Sequence, residues 1–171
     1  MSLRLIDATT DEHFRAMSLI HALGWRTTYQ NAVPADYMAE VITDDRWVDY
    51  FRVNYKSDAA RGLLLMDDGR SVACCNYGAA RADGYEGWGE LISFYTHPDE
   101  KNHGYGSVLM TEALLRLRDE GYEKCYLLVL RENENARRFY EKHGFRWDGT
   151  HEDIPFPHDT VCVDLRYTRT L

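Results

Sequence analysis

Polar and apolar residues alternate over Leu3-Arg4-Leu5-Ile6-Asp7, which predicts a short edge strand. The period then lengthens. Phe14, Met17, Leu19, Ile20 and Leu23 recur at helical spacing behind Asp11, read as the N-cap, and Gly24 reads as the stop. From Trp25 to Tyr55 the pattern is helical with interruptions: Pro34 opens one helix through Val41, and Asp44-Asp45 opens another through Phe51. The period returns to two in Leu63 to Met66 and Val72 to Tyr77, a hairpin about Asp67-Asp68-Gly69. A third strand, Glu90 to Thr96, follows a loop broken by Gly84, Gly87 and Gly89. Ser107 to Glu120 reads as a long helix with Val108, Leu109, Ala113, Leu114 and Leu117 on one stripe, ended by Gly121. Lys124 to Leu130 is a buried strand and Asn135 to His143 a short helix with Gly144 as its C-cap. Two more strands are expected near Phe145 to Asp148 and Thr160 to Tyr167. Strands first and then β-α-β-α-β-β is a mixed α/β layout. No repeat or linker divides it, so residues 1–171 read as one domain.

Composition narrows the possibilities. A chain of 171 residues with 44% hydrophobic content can bury a core of its own. Its apolar runs, such as Gly62 to Met66 and Tyr126 to Leu130, fall far short of the ~20 residues of a membrane span. Met1 to Asp7 shows no basic segment followed by an apolar one, so no secretory signal is read and a cytoplasmic home is expected. Cys74, Cys75, Cys125 and Cys162 are then expected as reduced thiols. A net charge of −8 argues against a nucleic-acid partner and tilts the expectation toward cationic small molecules or peptides. His151, Glu152, Asp153, His158 and Asp159 gather around Pro155 and Pro157, but their spacing matches no zinc pattern. They read as a solvated loop, and no metal is expected.

The chemistry-bearing stretch is Lys101-Asn102-His103-Gly104-Tyr105-Gly106-Ser107. Two glycines allow a tight turn, and the free amides of the helix that follows point at an anion; a diphosphate is the natural guest. A dinucleotide fingerprint would need a third small residue where Leu109 stands, and a P-loop would need Gly-Lys-Ser/Thr.

Three pieces in order, Glu90-Leu-Ile-Ser-Phe-Tyr-Thr-His-Pro98, Lys101-x-x-Gly-x-Gly106 and Asn133-x-x-Ala136-x-x-Phe-Tyr140-Glu-Lys-x-Gly-Phe145, resemble the core of the general N-acetyltransferase (GNAT) superfamily. The likeness covers about a third of the chain and departs from the usual pattern at Lys101, commonly Arg or Gln, and at Asn102, commonly Gly. It implies one mixed central sheet of six to seven strands flanked by helices, with central strands that splay, and an acyl-coenzyme A core over residues 90–145. It implies acetyl-CoA as cosubstrate. Phe94, Tyr95 and Thr96 would pair with the pantetheine arm opposite Leu127 to Leu130. Amides of His103, Gly104, Tyr105, Gly106 and Ser107 would hold the pyrophosphate beside Lys101 and Asn102, with Asn133, Ala136 and Tyr140 on the cofactor arm. Trp25 and Tyr29 fall where the acceptor pocket is usually walled, in a helical stretch that also carries Tyr37 and Trp47; an aromatic stripe of this spacing also suits a plain core. A homodimer is implied as well, with exposed aromatics in the first half as its reason.

The expected reaction is acetyl transfer to a primary amine by direct attack in a ternary complex. An amine of pKa ~10.4 is neutral in about one molecule in 2,500 at pH 7, so a proton must be removed. The resemblance assigns that work to Glu90, which would also attract an ammonium group; a solvent-facing glutamate at a strand entrance is the competing reading. Tyr140 takes the position of the proton donor to the departing thiolate, against the reading of a core tyrosine beside Phe139. Phenol at ~10 and thiol at ~8.5 make full transfer uphill by about 2 kcal/mol. A non-catalytic module that binds and senses acyl-CoA is the alternative function, and another acyl donor or an alcohol acceptor is a further one.

Overall fold

The computed structural model describes residues 2–171; Met1, where the stretch read for a secretory signal begins, lies outside them. Strands β1 (Leu3–Asp7), β2 (Arg61–Asp67), β3 (Arg70–Ala79), β4 (Gly89–Thr96), β5 (Lys124–Leu130), β6 (Arg146–Phe156) and β7 (Thr160–Thr170) form one sheet in the order β1-β2-β3-β4-β5-β7-β6. The helices are α1 (Asp11–Thr28), α2 (Ala35–Val41), α3 (Val48–Lys56), α4 (Tyr105–Asp119) and α5 (Glu134–Lys142). Every strand pair is antiparallel except β4 with β5. The sheet is thus the mixed one expected, with seven strands.

Alternation on β2 and β3 sorts the core into two layers. Leu63, Leu65, Ala73 and Cys75 pack with Leu109, Met110, Ala113 and Leu117 of α4, while Leu64 and Cys74 pack with Met17 and Ile20 of α1 and Phe51 of α3. All four cysteines are free and buried. A third, smaller core joins Val33, Leu130 and Cys162 to Trp25, Tyr29 and Tyr37. The first-half aromatics are therefore packed, and the large hydrophobics exposed there are Leu3, Leu19 and Val53, which removes the reason given for a homodimer. No helix among the described residues is long and apolar enough to cross a membrane.

Several boundaries differ from expectation. Asp44-Asp45 does not open α3, which starts at Val48 behind Trp47 and runs past Phe51 to Lys56. The α1 cap is Thr10, whose hydroxyl accepts the His13 N–H at 3.3 Å, and Asp11 instead sits in the first turn, where a negative charge suits the helix dipole. That helix runs through Gly24 to Thr28. Gly24 is a packing residue: a Cβ there would lie 2.4 Å from Tyr95 Cδ1, so the cost of about 1 kcal/mol for helical glycine is met by the close approach of a ring. Finally, His151, Glu152 and Asp153 lie on β6 rather than in a loop, opposite Leu165, Asp164 and Val163. Pro155 does not break the strand because β6 is the sheet edge, where a missing N–H costs no ladder bond. The turn shrinks to residues 157–159, with His158 and Asp159 at positive φ.

Candidate active site

The sheet opens where β4 stops pairing with β5. Gly89, Glu90 and Leu91 lie opposite Cys125, Tyr126 and Leu127, and there the ladder ends. Beyond that point β5 follows β7 as far as Leu130 opposite Asp164, whereas Phe94, Tyr95 and Thr96 stay with β3. The register on β4 slips between Leu91 and Ser93, so Ile92 is a bulge that turns the strand away. A cleft of about 1440 Å³ occupies the gap. Single-ligand sites run to roughly 300–1,000 Å³, so there is room for two substrates together.

At one end of the cleft stands the N-terminus of α4. Gly104, its N-cap, has φ +82°, a left-handed conformation that side chains disfavour. The N–H groups of Ser107 and Val108 already donate to the Gly104 carbonyl at 3.0 and 3.3 Å. Those of Gly104, Tyr105 and Gly106 have no acceptor among the described residues. The Tyr105 side chain faces away, donating from its hydroxyl to Asp67 Oδ2 at 2.6 Å, which ties the helix start to β2. Lys101 and Asn102 line the cleft; His103 does not, and its Nδ1 sits 3.8 Å from Glu100. A set of donors without acceptors at a helix N-terminus, beside the free edge of a strand, fits a diphosphate with an extended arm.

Farther in, α5 supplies the next wall. Asn133 caps that helix, its Oδ1 accepting the Ala136 N–H at 3.2 Å, so the carboxamide oxygen is engaged and the NH2 group is left for a ligand. Tyr140 is 8% exposed and lines the cleft, and no hydrogen bond among the described residues takes up its hydroxyl. Burial, and secondarily Cys75, pushes that phenol well above its ordinary range, so it keeps its proton.

Glu90 is neither exposed nor free. It is 2% exposed, and Arg81 grips it: the Arg81 N–H and Nε reach Oε2 at 3.0 and 3.1 Å, and Nη2 reaches Oε1 at 2.7 Å. The solvent-facing reading of Glu90 therefore fails: the carboxylate is buried, and a half-exposed guanidinium caps it from the loop side. Burial and the Glu90 charge push the neighbouring Tyr126 hydroxyl up to about 12.

The far wall belongs to α1. Trp25 and Tyr29 stack at 4.3 Å between ring centroids and both line the cleft. Beside them is His21, 2% exposed, which the sequence reading passed over. Its Nδ1 lies 2.8 Å from the Met17 carbonyl and its Nε2 2.7 Å from Ser93 Oγ. Burial lowers its pKa to about 4, so the ring is neutral, donating from Nδ1 and accepting from the Ser93 hydroxyl. Arg81 and Asp164 were also missed, both lining the same cleft from loop and strand positions distant in the chain. Only the placement of His21 on the apolar stripe of α1, four residues after Met17, was a sequence signal. Among the described residues no group of His, Cys, Asp and Glu could hold a metal ion.

A split sheet whose gap leads from unsatisfied helix amides to a buried, protonated tyrosine defines a coenzyme A-type acyltransferase. Residues 14–145 match the model of the Acetyltransferase (GNAT) family, and the chain belongs to that family. It is an acetyltransferase with acetyl-CoA as cosubstrate. The chain is 25% identical over 126 residues to the uncharacterized N-acetyltransferase YuaI of Bacillus subtilis (strain 168), covering 71% of this chain and 69% of that protein. It is 33% identical over 97 residues to the mycothiol acetyltransferase of Acidimicrobium ferrooxidans, which covers 57% of this chain and 31% of that longer protein. Among solved structures, the PaiA N-acetyltransferase of Thermoplasma acidophilum in complex with coenzyme A superposes with a TM-score of 0.78 at 19% identity, each chain covered completely. The ribosomal-protein-alanine N-acetyltransferase of Brucella melitensis does so with a TM-score of 0.77 at 16% identity, again over the whole of both chains. These structural likenesses establish the fold.

Proposed function

We propose that the protein transfers the acetyl group of acetyl-CoA to a primary amine of a small molecule or peptide, by direct attack within a ternary complex. One observation carries the reading: a single cleft runs from the free amides of Gly104, Tyr105 and Gly106, past the Tyr140 hydroxyl, to the aromatic wall of Trp25 and Tyr29. Both substrates can meet in it without a covalent enzyme intermediate.

When bound, acetyl-CoA supplies an activated carbonyl carbon and a thiolate leaving group. The chain's own residues do the rest. Amides at the start of α4 hold the diphosphate, with Lys101 adding a mobile positive charge. The free edge of Phe94, Tyr95 and Thr96 pairs with the pantetheine arm, and Asn133 and Ala136 border it. Tyr140 holds its proton at neutral pH and gives it to the departing sulfur; general acid assistance of this kind is worth roughly a hundredfold or more. A carboxylate has about four acceptor positions, and Arg81 fills three on Glu90. Glu90 serves this reading chiefly as the buried negative partner that fixes Arg81 at the cleft wall.

The test is free-thiol release from acetyl-CoA against polyamines, aminoglycosides, amino acids and N-terminal peptides, with Tyr140→Phe and Glu90→Gln alongside. Release that depends on one amine class and collapses in Tyr140→Phe supports the reading. Tight acetyl-CoA binding with no amine-dependent release would sink it in favour of an acyl-CoA sensor.

A further inference from the structure

The carboxylates on the cleft wall are Glu90, Glu100, Glu132, Glu134 and Asp164. The first four have arginine partners: Arg81, Arg70, Arg131 and Arg138 respectively. Asp164 has neither a hydrogen bond nor an ion pair among the described residues, and its Oδ1 is fully buried without a partner. The guanidinium two residues along β7, on Arg166, pairs with Glu152 and lies over the rings of Tyr85 and Tyr126 instead. A buried carboxylate oxygen with no donor is expensive to keep, and a ligand that brings a donor relieves that cost. The second cleft-lining side-chain atom in this state, Asn76 Oδ1, is also an acceptor.

Asp164 stands at the reacting end. It faces Leu130, past the point where β4 stops pairing with β5, and it lines the cleft with Tyr29, Tyr95 and Tyr140. After burial and Tyr95, its charge adds to what pushes the Tyr29 hydroxyl up; after burial and Tyr140, it does the same to Tyr95. Aromatic faces beside a carboxylate are the surroundings that an alkylammonium prefers over water.

We propose that Asp164 receives the acceptor as an aliphatic primary ammonium ion and takes its first proton, which rests on the amine-acetylation reading above. The step balances. One N–H proton passes to Asp164, the nitrogen lone pair forms the C–N bond, and the C–S bond breaks. Tyr140 protonates the sulfur, the second nitrogen proton restores Tyr140, and Asp164 releases its proton to solvent, giving one amide, one thiol and one proton. Geometry is seconded by electrostatics: burial first, then Glu152 of β6 and Glu132 after β5, raises Asp164 to about 6, closer to an amine than an ordinary aspartate comes. The other groups around it are Tyr29 of α1, Tyr95 of β4, Tyr140 of α5 and Cys162 of β7.

The experiment compares 1,4-diaminobutane, aniline and glycine as acceptors in wild type, Asp164→Asn and Asp164→Glu, with acetyl-CoA affinity and Tm measured on each. Wild type is expected to favour the diamine in kcat/KM by about a hundredfold over the neutral aniline and the zwitterionic glycine. Asp164→Asn should lose about a hundredfold in kcat/KM for the diamine, lose the rise in kcat/KM as pH passes up through 6, keep its acetyl-CoA Kd, and melt higher at pH 8. Asp164→Glu should keep the pH limb. If Asp164→Asn stays within threefold of wild type on every accepted amine, or if aniline is the preferred acceptor, this assignment is overturned while amine acetylation stands. If wild type binds acetyl-CoA and releases no thiol with any amine, both fall.

Discussion

The two ends of the cleft are built from different materials. At the end proposed for the cofactor the groups that face the cleft are main-chain: amides of Gly104, Tyr105 and Gly106 and the free edge of Phe94 to Thr96, supplied by neighbouring stretches of chain. At the end proposed for the acceptor they are side chains: His21, Trp25 and Tyr29 of α1, Arg81 before β4, and Asp164 of β7. A backbone site tolerates changes in side chain as long as the turn can form, whereas a side-chain site changes its guest with one substitution. A single fold can thereby hold its acetyl donor constant and vary its acceptor.

That contrast can be broken most forcefully at the boundary between the halves. Tyr140→Phe should lower kcat for the preferred amine by roughly a hundredfold or more, with acetyl-CoA Kd unchanged by calorimetry; equal loss of cofactor affinity would make Tyr140 a cofactor-binding residue only.

A second measurement probes the acceptor half by acid. His21 is lowered to about 4 from 6.5, so the unfolded chain binds a proton that the folded one refuses. Its stabilising contribution is present above pH 6.5 and lost as pH falls toward 4, about 3 kcal/mol in all. Asp164, raised to about 6, works oppositely over pH 6 to 4, the folded state gaining there. Denaturation of wild type against His21→Gln, both in the Asp164→Asn background, should show the steeper acid loss in the protein that keeps His21. Parallel curves would mean that His21 is protonated in place.

Gly24→Ala tests how far the halves are packed together. Its Cβ would meet Tyr95 Cδ1 at 2.4 Å, an overpacking worth about 1–3 kcal/mol of stability, and the displaced ring should raise KM for the amine more than KM for acetyl-CoA. The reverse ranking of the two constants would place the Tyr95 ring, like its backbone, in the cofactor half.

The smallest effect is expected from Gly104→Ala. Nothing lies within 4 Å of the added Cβ, so only the φ of +82° opposes it, at about 1 kcal/mol. Acetyl-CoA should bind roughly fivefold more weakly while the amine KM holds; an unchanged Kd would remove the Gly104 turn from cofactor binding.

Element types and their order were legible because each is written in local periodicity and in glycine placement, while the adjacency of β4 and β5 came from the family resemblance and its parallel sense from the structure. Lys124–Leu130 is read to the residue. Errors fell where a distant partner decides. Gly24 is a helix stop by local rules and a seat for Tyr95 in the fold. His151 to Asp153 look like loop residues, and β7 pairs them into a strand because Pro155 falls on the open edge. Glu90 was found as a site residue, but the Arg81 that holds it sits in a loop with no pattern of its own.

The sequence by itself determined the layout and the glycine turn that opens α4, since those depend on backbone conformations that nearby residues impose, and the family resemblance pointed to Tyr140. Only the tertiary structure decided which carboxylates are neutralised. Charge pairing depends on distances between side chains from different strands, and no spacing along the chain records that Glu90 meets an arginine and Asp164 meets none.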